Sequence, residues 1–241
     1  MKYRTEYLAE TTSTNDEARD DRFGHGDIVV AEAQTEGRGQ RGNSWASESG
    51  KNLTFSVVLK PTFLPAANQF LLSEIVSLAI TDMLSRYGID AKIKWPNDIY
   101  ADGRKIAGIL IENDLKGSVM YRTIAGIGIN VNQTVFDPAL PNPTSMKLIT
   151  GEDCDRIEVL DGFAEAFFKR YAALEKGYVN GIERDYHTRL YRVGEPASYL
   201  LPDCTSFTGV IMHVQQSGEL VMQLADGTVR RFLFKEVEYT L

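Results

Sequence analysis

Gly37-Arg38-Gly39-Gln40-Arg41-Gly42, continued by Asn43-Ser44-Trp45-Ala46-Ser47-Glu48-Ser49-Gly50, is the stretch on which the fold turns. Its first six residues fit G-x-G-x-x-G. A dinucleotide-binding fold would need a helix directly after the third glycine, so that the helix N-terminus meets a pyrophosphate, and an acid about twenty residues on. Residues 43–50 have no helical period, and positions 57–64 contain no acid. A protein kinase places such a loop between strands but needs a His-Arg-Asp catalytic loop; none of His25, His187 and His213 is followed by Arg-Asp. Both readings fail. What remains is a flexible loop carrying Arg38, Arg41 and Lys51 in an acidic chain. Its glycines let backbone amides approach an anion, and its guanidinium groups can hold phosphate or carboxylate through paired hydrogen bonds. A solvated surface loop is the plain alternative.

Outward from that loop, strands are predicted at Tyr3–Leu8, Asp27–Gln34 and Leu53–Lys60, the last stopped by Pro61. Thr14-Asn15-Asp16-Glu17 has the form of a capping box that starts a helix. Leu72, Ile75, Val76, Ala79, Ile80 and Met83 recur at helical spacing, so a helix is predicted from Ala66 to Tyr87, ended by Gly88. Three strands follow: Ala91–Trp95, then Ile99-Tyr100 joined to Lys105–Ile111 by an Asp102-Gly103 hairpin, then Met120–Asn130. Residues 132–144 carry three prolines and read as loop. A second amphipathic helix spans Ile157 to Leu174, and another covers Ile182–Tyr191. Short strands at Ser198–Leu200, Phe207–Val214, Leu220–Leu224 and Val229–Phe234, with turns at Ser217-Gly218 and Asp226-Gly227, give the last fifty residues the pattern of a small β-barrel. Strand–helix alternation is missing, so the fold class is α+β rather than doubly wound.

With 241 residues, 43% hydrophobic and 24% charged, the chain is sized for one large domain and a small one. The expected division is 1–190 and 191–241. A net charge of −7 and a pI near 5.1 argue against a nucleic-acid partner, which favours a basic face. Cys154 and Cys204 match no metal-ligand spacing and suit a reducing compartment. No apolar stretch approaches the roughly 18 residues of a membrane span. A soluble, cytoplasmic protein is expected, with no membrane partner.

Two further segments carry chemistry. In Lys92-Ile93-Lys94-Trp95-Pro96-Asn97-Asp98 and Gly103-Arg104-Lys105-Ile106-Ala107-Gly108, Lys105 opens an apolar strand and could project into a cleft; it could equally be a solvent-facing edge residue. In Gly126-Ile127-Gly128-Ile129-Asn130-Val131-Asn132, glycines inside a strand mark either the close approach of a ligand or a bulge.

Taken together, Ser13-Thr14-Asn15, Gln34 with the glycine–arginine loop to Trp45, Lys94-Trp95-Pro96-Asn97-Asp98, Gly103-Arg104-Lys105 to Gly108, and Gly126 to Asn130 resemble the biotin–protein ligase family. They stand in that family's order and spacing and, with the C-terminal β module, span nearly the whole chain. The resemblance implies a central mixed sheet flanked by helices, as in class II aminoacyl-tRNA synthetases and biotin ligases, plus a small C-terminal SH3-like β-barrel.

The same resemblance implies biotin contacts from Ser13, Thr14, Asn15, Gln34, Gly37, Arg38, Gly39, Gln40, Lys105, Gly108, Gly126 and Gly128. Neutral hydroxyl and amide groups suit biotin's neutral ureido ring, since they pair with it without burying a charge. It also implies ATP or adenylate contacts from Arg41, Trp45, Lys94, Asn97, Asp98, Asn130 and Asn132, with Mg2+ carried alongside ATP. Lys105 and Arg38 take the catalytic places, where negative charge gathers as biotin's carboxylate meets the α-phosphate. The product would be biotinyl-5′-adenylate, sheltered by a closing loop at 37–51 and by the 132–144 segment until a lysine of a biotin carboxyl carrier protein or domain of a carboxylase attacks. Gln40 and Asn43 stand where many relatives carry arginine, and Phe234-Lys235-Glu236-Val237 stands where Gly-Glu-Val is common. Some relatives also repress transcription through an N-terminal helix-turn-helix. Twelve residues before Ser13 are too few for one, so no DNA partner is expected. Many relatives pair through their sheets, which makes a homodimer possible for this chain. A lipoate–protein ligase-like adenylating enzyme and a non-catalytic biotin-binding module are the rivals.

Overall fold

The computed structural model describes residues 3–240, with the side chain of Arg41 outside the description. The chain opens with β1 (Thr5–Thr11), the one-turn helix α1 (Thr14–Glu17), β2 (Ile28–Gln34) and β3 (Leu53–Leu59). Then come α2 (Phe70–Ser85), β4 (Ala91–Lys94), β5 (Asp98–Ala101), β6 (Arg104–Lys116) and β7 (Val119–Ile129). Helices α3 (Met146–Thr150), α4 (Arg156–Glu175) and α5 (Val179–Thr188) precede β8 (Pro196–Leu200), β9 (Ser206–Val214), β10 (Leu220–Leu224), β11 (Val229–Phe232) and β12 (Glu238–Tyr239). No described helix is long and apolar enough to cross a membrane.

Seven strands form one sheet in the order β1-β2-β3-β7-β6-β5-β4. Only β1 and β2 run parallel; every other neighbouring pair is antiparallel. Asp102 and Gly103 both adopt positive φ, 49° and 71°, at the β5–β6 turn, as a tight hairpin requires. The sheet is therefore mixed and α+β, as expected from the hairpin-connected strands.

Strand periodicity divides its two faces. Phe55 and Val57 on β3 and Ala125, Ile127 and Ile129 on β7 are buried in the main core with α2 and α4. There Phe163 meets Phe55 edge-on at 5.0 Å. The alternate residues Val29, Val58 and Ile124 face the other way and pack with Ala18 and Phe23 behind α1. β3 is buried along its whole length because both its faces are covered. The second face is where the functional groups collect.

The last strands form a five-stranded antiparallel sheet, β11-β10-β9-β8-β12, whose two end strands are not paired to each other. A small SH3-like β-barrel was expected here; the short antiparallel strands are present, but the hydrogen-bonded order is open, not closed. Trp95 joins the two sheets: it is buried, donates its indole N–H to the Gly218 carbonyl at 2.9 Å, and packs on Phe234. Two elements had no sequence signature, α3 and β12. The capping box at residues 14–17 is not formed as such: Ser13 is the N-cap, without a side-chain cap bond, and the Thr14 and Asn15 side chains turn into the protein.

Candidate active site

Three glycines make the floor of a cleft on the α1 face. Gly108 of β6 pairs with Gly128 of β7, and Gly126 lies two residues along, opposite Leu110. Period-two alternation puts all three on one face. Their missing side chains are used. A Cβ on Gly126 would overlap the Asn15 amide, and one on Gly128 would fall inside the Trp45 ring. Mid-strand glycine sacrifices packing, and here it admits side chains from α1 and from the glycine–arginine loop. The cleft encloses about 340 Å³, within the size range of small-molecule sites.

One end of the cleft is neutral. Ser13, Thr14 and Asn15 are buried. The Ser56 hydroxyl lies 2.6 Å from Asn15 Oδ1 and 2.8 Å from Thr14 Oγ1, so it can donate to the amide and accept from the threonine. Gln34 Oε1 accepts from the Thr14 backbone N–H at 2.8 Å. Asn15 Nδ2 donates to Glu112 Oε2 at 2.8 Å. The Asn15 amide is thereby fixed in one orientation.

The other end is cationic. Lys105 Nζ lies 2.7 Å from Asp98 Oδ1 and 5.7 Å from the Trp45 ring centroid. Its backbone is clamped by the loop after β7, donating to the Asn142 carbonyl at 2.8 Å and accepting from the Thr144 N–H at 2.9 Å. Arg38 reaches back to Asp16 at 2.6 Å and Glu112 at 3.3 Å. Lys94 is largely desolvated, and that burial lowers its pKa below the usual lysine range, with Lys105 and Arg192 adding to the effect against Asp98 and Glu238.

The glycine–arginine loop lies across the floor. Gly39 N–H donates to the Asn43 carbonyl and Trp45 N–H to the Gly37 carbonyl, at 2.7 and 2.8 Å, so the loop folds back on itself. Trp45 covers Gly108 and Gly128, and its indole N–H is buried with no partner among the described residues.

The structure brings Ser13, Thr14, Asn15, Gln34, Arg38, Gly39, Gln40, Trp45, Lys94, Asn97, Asp98, Lys105, Gly108, Gly126 and Gly128 to one cleft. Asn97 also ties β5 to β6, donating to the Ile109 carbonyl at 2.7 Å. Gly37 serves the loop's own fold, since a Cβ there would overlap the Trp45 carbonyl. Asn130 and Asn132 are used elsewhere: Asn130 donates to the Thr144 carbonyl at 2.9 Å, and Asn132 clasps the Cys154 backbone through two 2.9 Å bonds. The Arg41 side chain lies outside the described residues.

Sequence reasoning missed Ser56, Glu112 and a whole wall of the cleft. Glu112 was recoverable, since it follows Gly108 and Leu110 at a spacing of two. The wall is made by Phe234, Lys235, Val237, Glu238 and Tyr239 of the C-terminal module. Lys235, within the departing Phe234–Val237 turn, adopts φ 70°.

Residues 7–130 match the family model described as the biotin/lipoate A/B protein ligase family. The biotin–[acetyl-CoA-carboxylase] ligase of Paracoccus denitrificans is 34% identical over 227 residues, covering 90% of this chain and 92% of that protein. The bifunctional ligase/repressor BirA of Bacillus subtilis is 35% identical over 170 residues, 68% of this chain; the match spans 51% of that relative's length. Among solved structures, biotin protein ligase from Aquifex aeolicus in complex with biotin and ATP superposes with a TM-score of 0.84 at 26% identity, covering 98% of this chain and 99% of that one.

Proposed function

This chain belongs to the biotin/lipoate A/B protein ligase family, and we propose that it is an ATP-dependent biotin–protein ligase. The observation that carries the reading is the polarity of the glycine-floored cleft. A neutral hydroxyl–amide end suits a ureido ring, and a cationic end suits a carboxylate meeting phosphate. The relative from Paracoccus is named for ligating biotin to acetyl-CoA carboxylase, and the Aquifex structure holds biotin and ATP.

In this reading Ser13, Thr14, Asn15 and Gln34 receive the ureido group, and the acyl chain runs from there towards Lys105. The carboxylate oxygen attacks the α-phosphorus of ATP and pyrophosphate leaves. Lys105 and Arg38 stabilise the charge that gathers there, as preorganised donors do in a partly water-excluded site. The acceptor lysine's amine then attacks the acyl carbon, AMP leaves with the bonding pair, and the amine loses a proton. Trp45 and the loop at 37–51 shelter the mixed anhydride between these steps. Among the described residues no three His, Cys, Asp or Glu side chains are grouped to hold a metal; Mg2+ is assigned to the ATP complex. The acceptor is assigned as a biotin carboxyl carrier domain. The C-terminal unit is taken as residues 191–241, SH3-like in its strand pattern.

Biotin-dependent exchange of pyrophosphate into ATP tests the reading, followed by transfer of biotin to a carrier domain. Exchange that requires biotin and ignores lipoate is expected. Exchange driven by lipoate, or biotin binding without any exchange, overturns it.

A further inference from the structure

Two lysines stand at the phosphate end of the cleft, and they are held differently. Lys105 has Asp98 as an ion-pair partner at 2.7 Å. Lys94 has no carboxylate partner among the described residues; its ammonium lies 5.0 Å from the Tyr100 ring centroid and 4.9 Å from that of Tyr239. A cation over an aromatic face is held by the ring quadrupole without being neutralised. Asp98 and Glu238 act on it only from beyond ion-pair distance, so its N–H donors are left for an anion, where a contacting carboxylate would take them.

The two rings come from different sheets. Tyr100 is on β5 and buried at 3% exposure; Tyr239 is on β12, at the edge of the C-terminal sheet beside β8. Further rings connect them: Tyr191 lies 5.5 Å from Tyr100 and 6.2 Å from Tyr239, and Tyr199 lies 5.3 Å from Tyr239. The Tyr239 hydroxyl is buried with no partner among the described residues, so no hydrogen bond of that hydroxyl accounts for a tyrosine here. Its ring face does. Desolvation of Lys94 agrees with this: an enclosed ammonium loses water, and the charges of Asp98 and Glu238 make up only part of that loss.

We propose that Tyr100 and Tyr239 are positioning residues that hold the Lys94 ammonium, free of a direct ion pair, for a phosphate of the nucleotide. The C-terminal sheet, through Tyr239, thereby sets the affinity of the cleft for ATP. The nucleotide in this statement rests on the function proposed above; the cage itself rests on geometry.

The experiment uses the whole chain and measures biotin-dependent pyrophosphate exchange at varied ATP, biotin binding, and calorimetric binding of inorganic pyrophosphate. Tyr239→Leu should raise the KM for ATP about 10-fold, between the effects of exposed and desolvated cation–π contacts, and weaken pyrophosphate to match. Biotin affinity and kcat should change less than about two-fold on the same reasoning. Tyr239→Phe, which keeps the ring, should recover most of the loss. In a Lys94→Met background, Tyr239→Leu should add nothing, because the interaction it removes is already gone. An unchanged KM overturns the proposal, as does equal weakening of biotin and ATP, or the same loss with and without Lys94. If Tyr239→Leu does not fold in a thermal melt, Tyr239→Met fills the space without a π face and is read by the same criteria. If the wild-type protein exchanges no pyrophosphate, the function reading fails, and pyrophosphate titration of the same variants still decides the cage.

Discussion

The ammonium of Lys105 and the carboxylate of Asp98 meet at 2.7 Å from adjacent strands, β6 and β5, at the edge of the glycine floor. Both side chains are partly exposed, at 33% and 18%, so the pair contributes little to stability, about 0–1 kcal/mol. What it does is hold the lysine rigidly beside the place where carboxylate and phosphate would join. Lys105→Ala should melt within a few degrees of the wild-type protein and lose roughly 10²–10³ in exchange rate, the typical effect of removing a preorganised donor. Lys105→Arg should not restore it, because a planar guanidinium does not occupy the same point. Near-normal exchange by a folded Lys105→Ala protein would remove the lysine from the mechanism.

Glu112 links the two ends of the cleft, accepting from Asn15 at 2.8 Å and from Arg38 at 3.3 Å. Glu112→Gln can still accept from Asn15 but loses the pairing with Arg38, while Glu112→Ala loses both. Without Glu112 the Asn15 amide keeps only the Leu110 carbonyl, at 3.4 Å, and a donor left unpaired costs about 1–3 kcal/mol. Biotin titrations should therefore show a loss of about 10-fold or more for Glu112→Ala, from that range, and a few-fold loss for Glu112→Gln. Equal losses for the two would show that the ion pair, not the amide, is what Glu112 serves.

Legibility in the sequence follows the range of the signal. Gly126 and Gly128 stood out because glycine inside an apolar strand is a local anomaly, Gly108 only through the family resemblance, and Asp102-Gly103 because a tight hairpin demands positive φ. Both features are in place. Thr14 and Asn15 have the residue types of a helix cap, yet they are drawn inward by Ser56, about forty residues away in sequence. The Asn130 and Asn132 amides are likewise committed to Thr144 and Cys154. Tyr239 lies in a two-residue strand, too short for any period to show. What decided these residues was the meeting of distant segments, which local pattern does not encode.

Glu74 of α2 is buried at 1% exposure, and its Oε2 has no partner. Burial, then the nearby Glu183, pushes its pKa up to about 8 from 4.5. The Tyr186 hydroxyl, equally buried and unpartnered, feels its charge. Because the folded protein keeps this proton when the unfolded chain has lost it, the contribution to stability is whole below about pH 4.5 and is lost progressively towards pH 8. Glu74→Gln removes that loss. The variant should match the wild type near pH 4.5 and exceed it by up to roughly 5 kcal/mol at pH 9, given a separation from 4.5 to about 8 and ~1.4 kcal/mol per pH unit of separation. Denaturant melts at the two pH values check this; a gap that does not widen with pH would mean that Glu74 is already ionised in the fold.

Gly128 offers the sharpest test of the floor. Its φ is not positive, so alanine suits the backbone and by strand propensity alone should do no harm. The obstacle is Trp45, whose ring occupies the space where the new methyl group would stand. Gly128→Ala must therefore lift Trp45 and the loop that carries it while leaving the two sheets intact. Trp45 emission should shift to the red as the indole meets water, and the melting temperature should change little. Exchange should fall at least about 10-fold, since a misplaced group in a preorganised site commonly costs that much or more. Trp45→Ala would remove the collision, so the double variant should be no worse in exchange than Trp45→Ala alone, the non-additivity expected of residues in contact. If the losses instead multiply, the methyl group blocks the ligand directly, and Gly128 belongs to the ligand's own footprint rather than to the seat of Trp45.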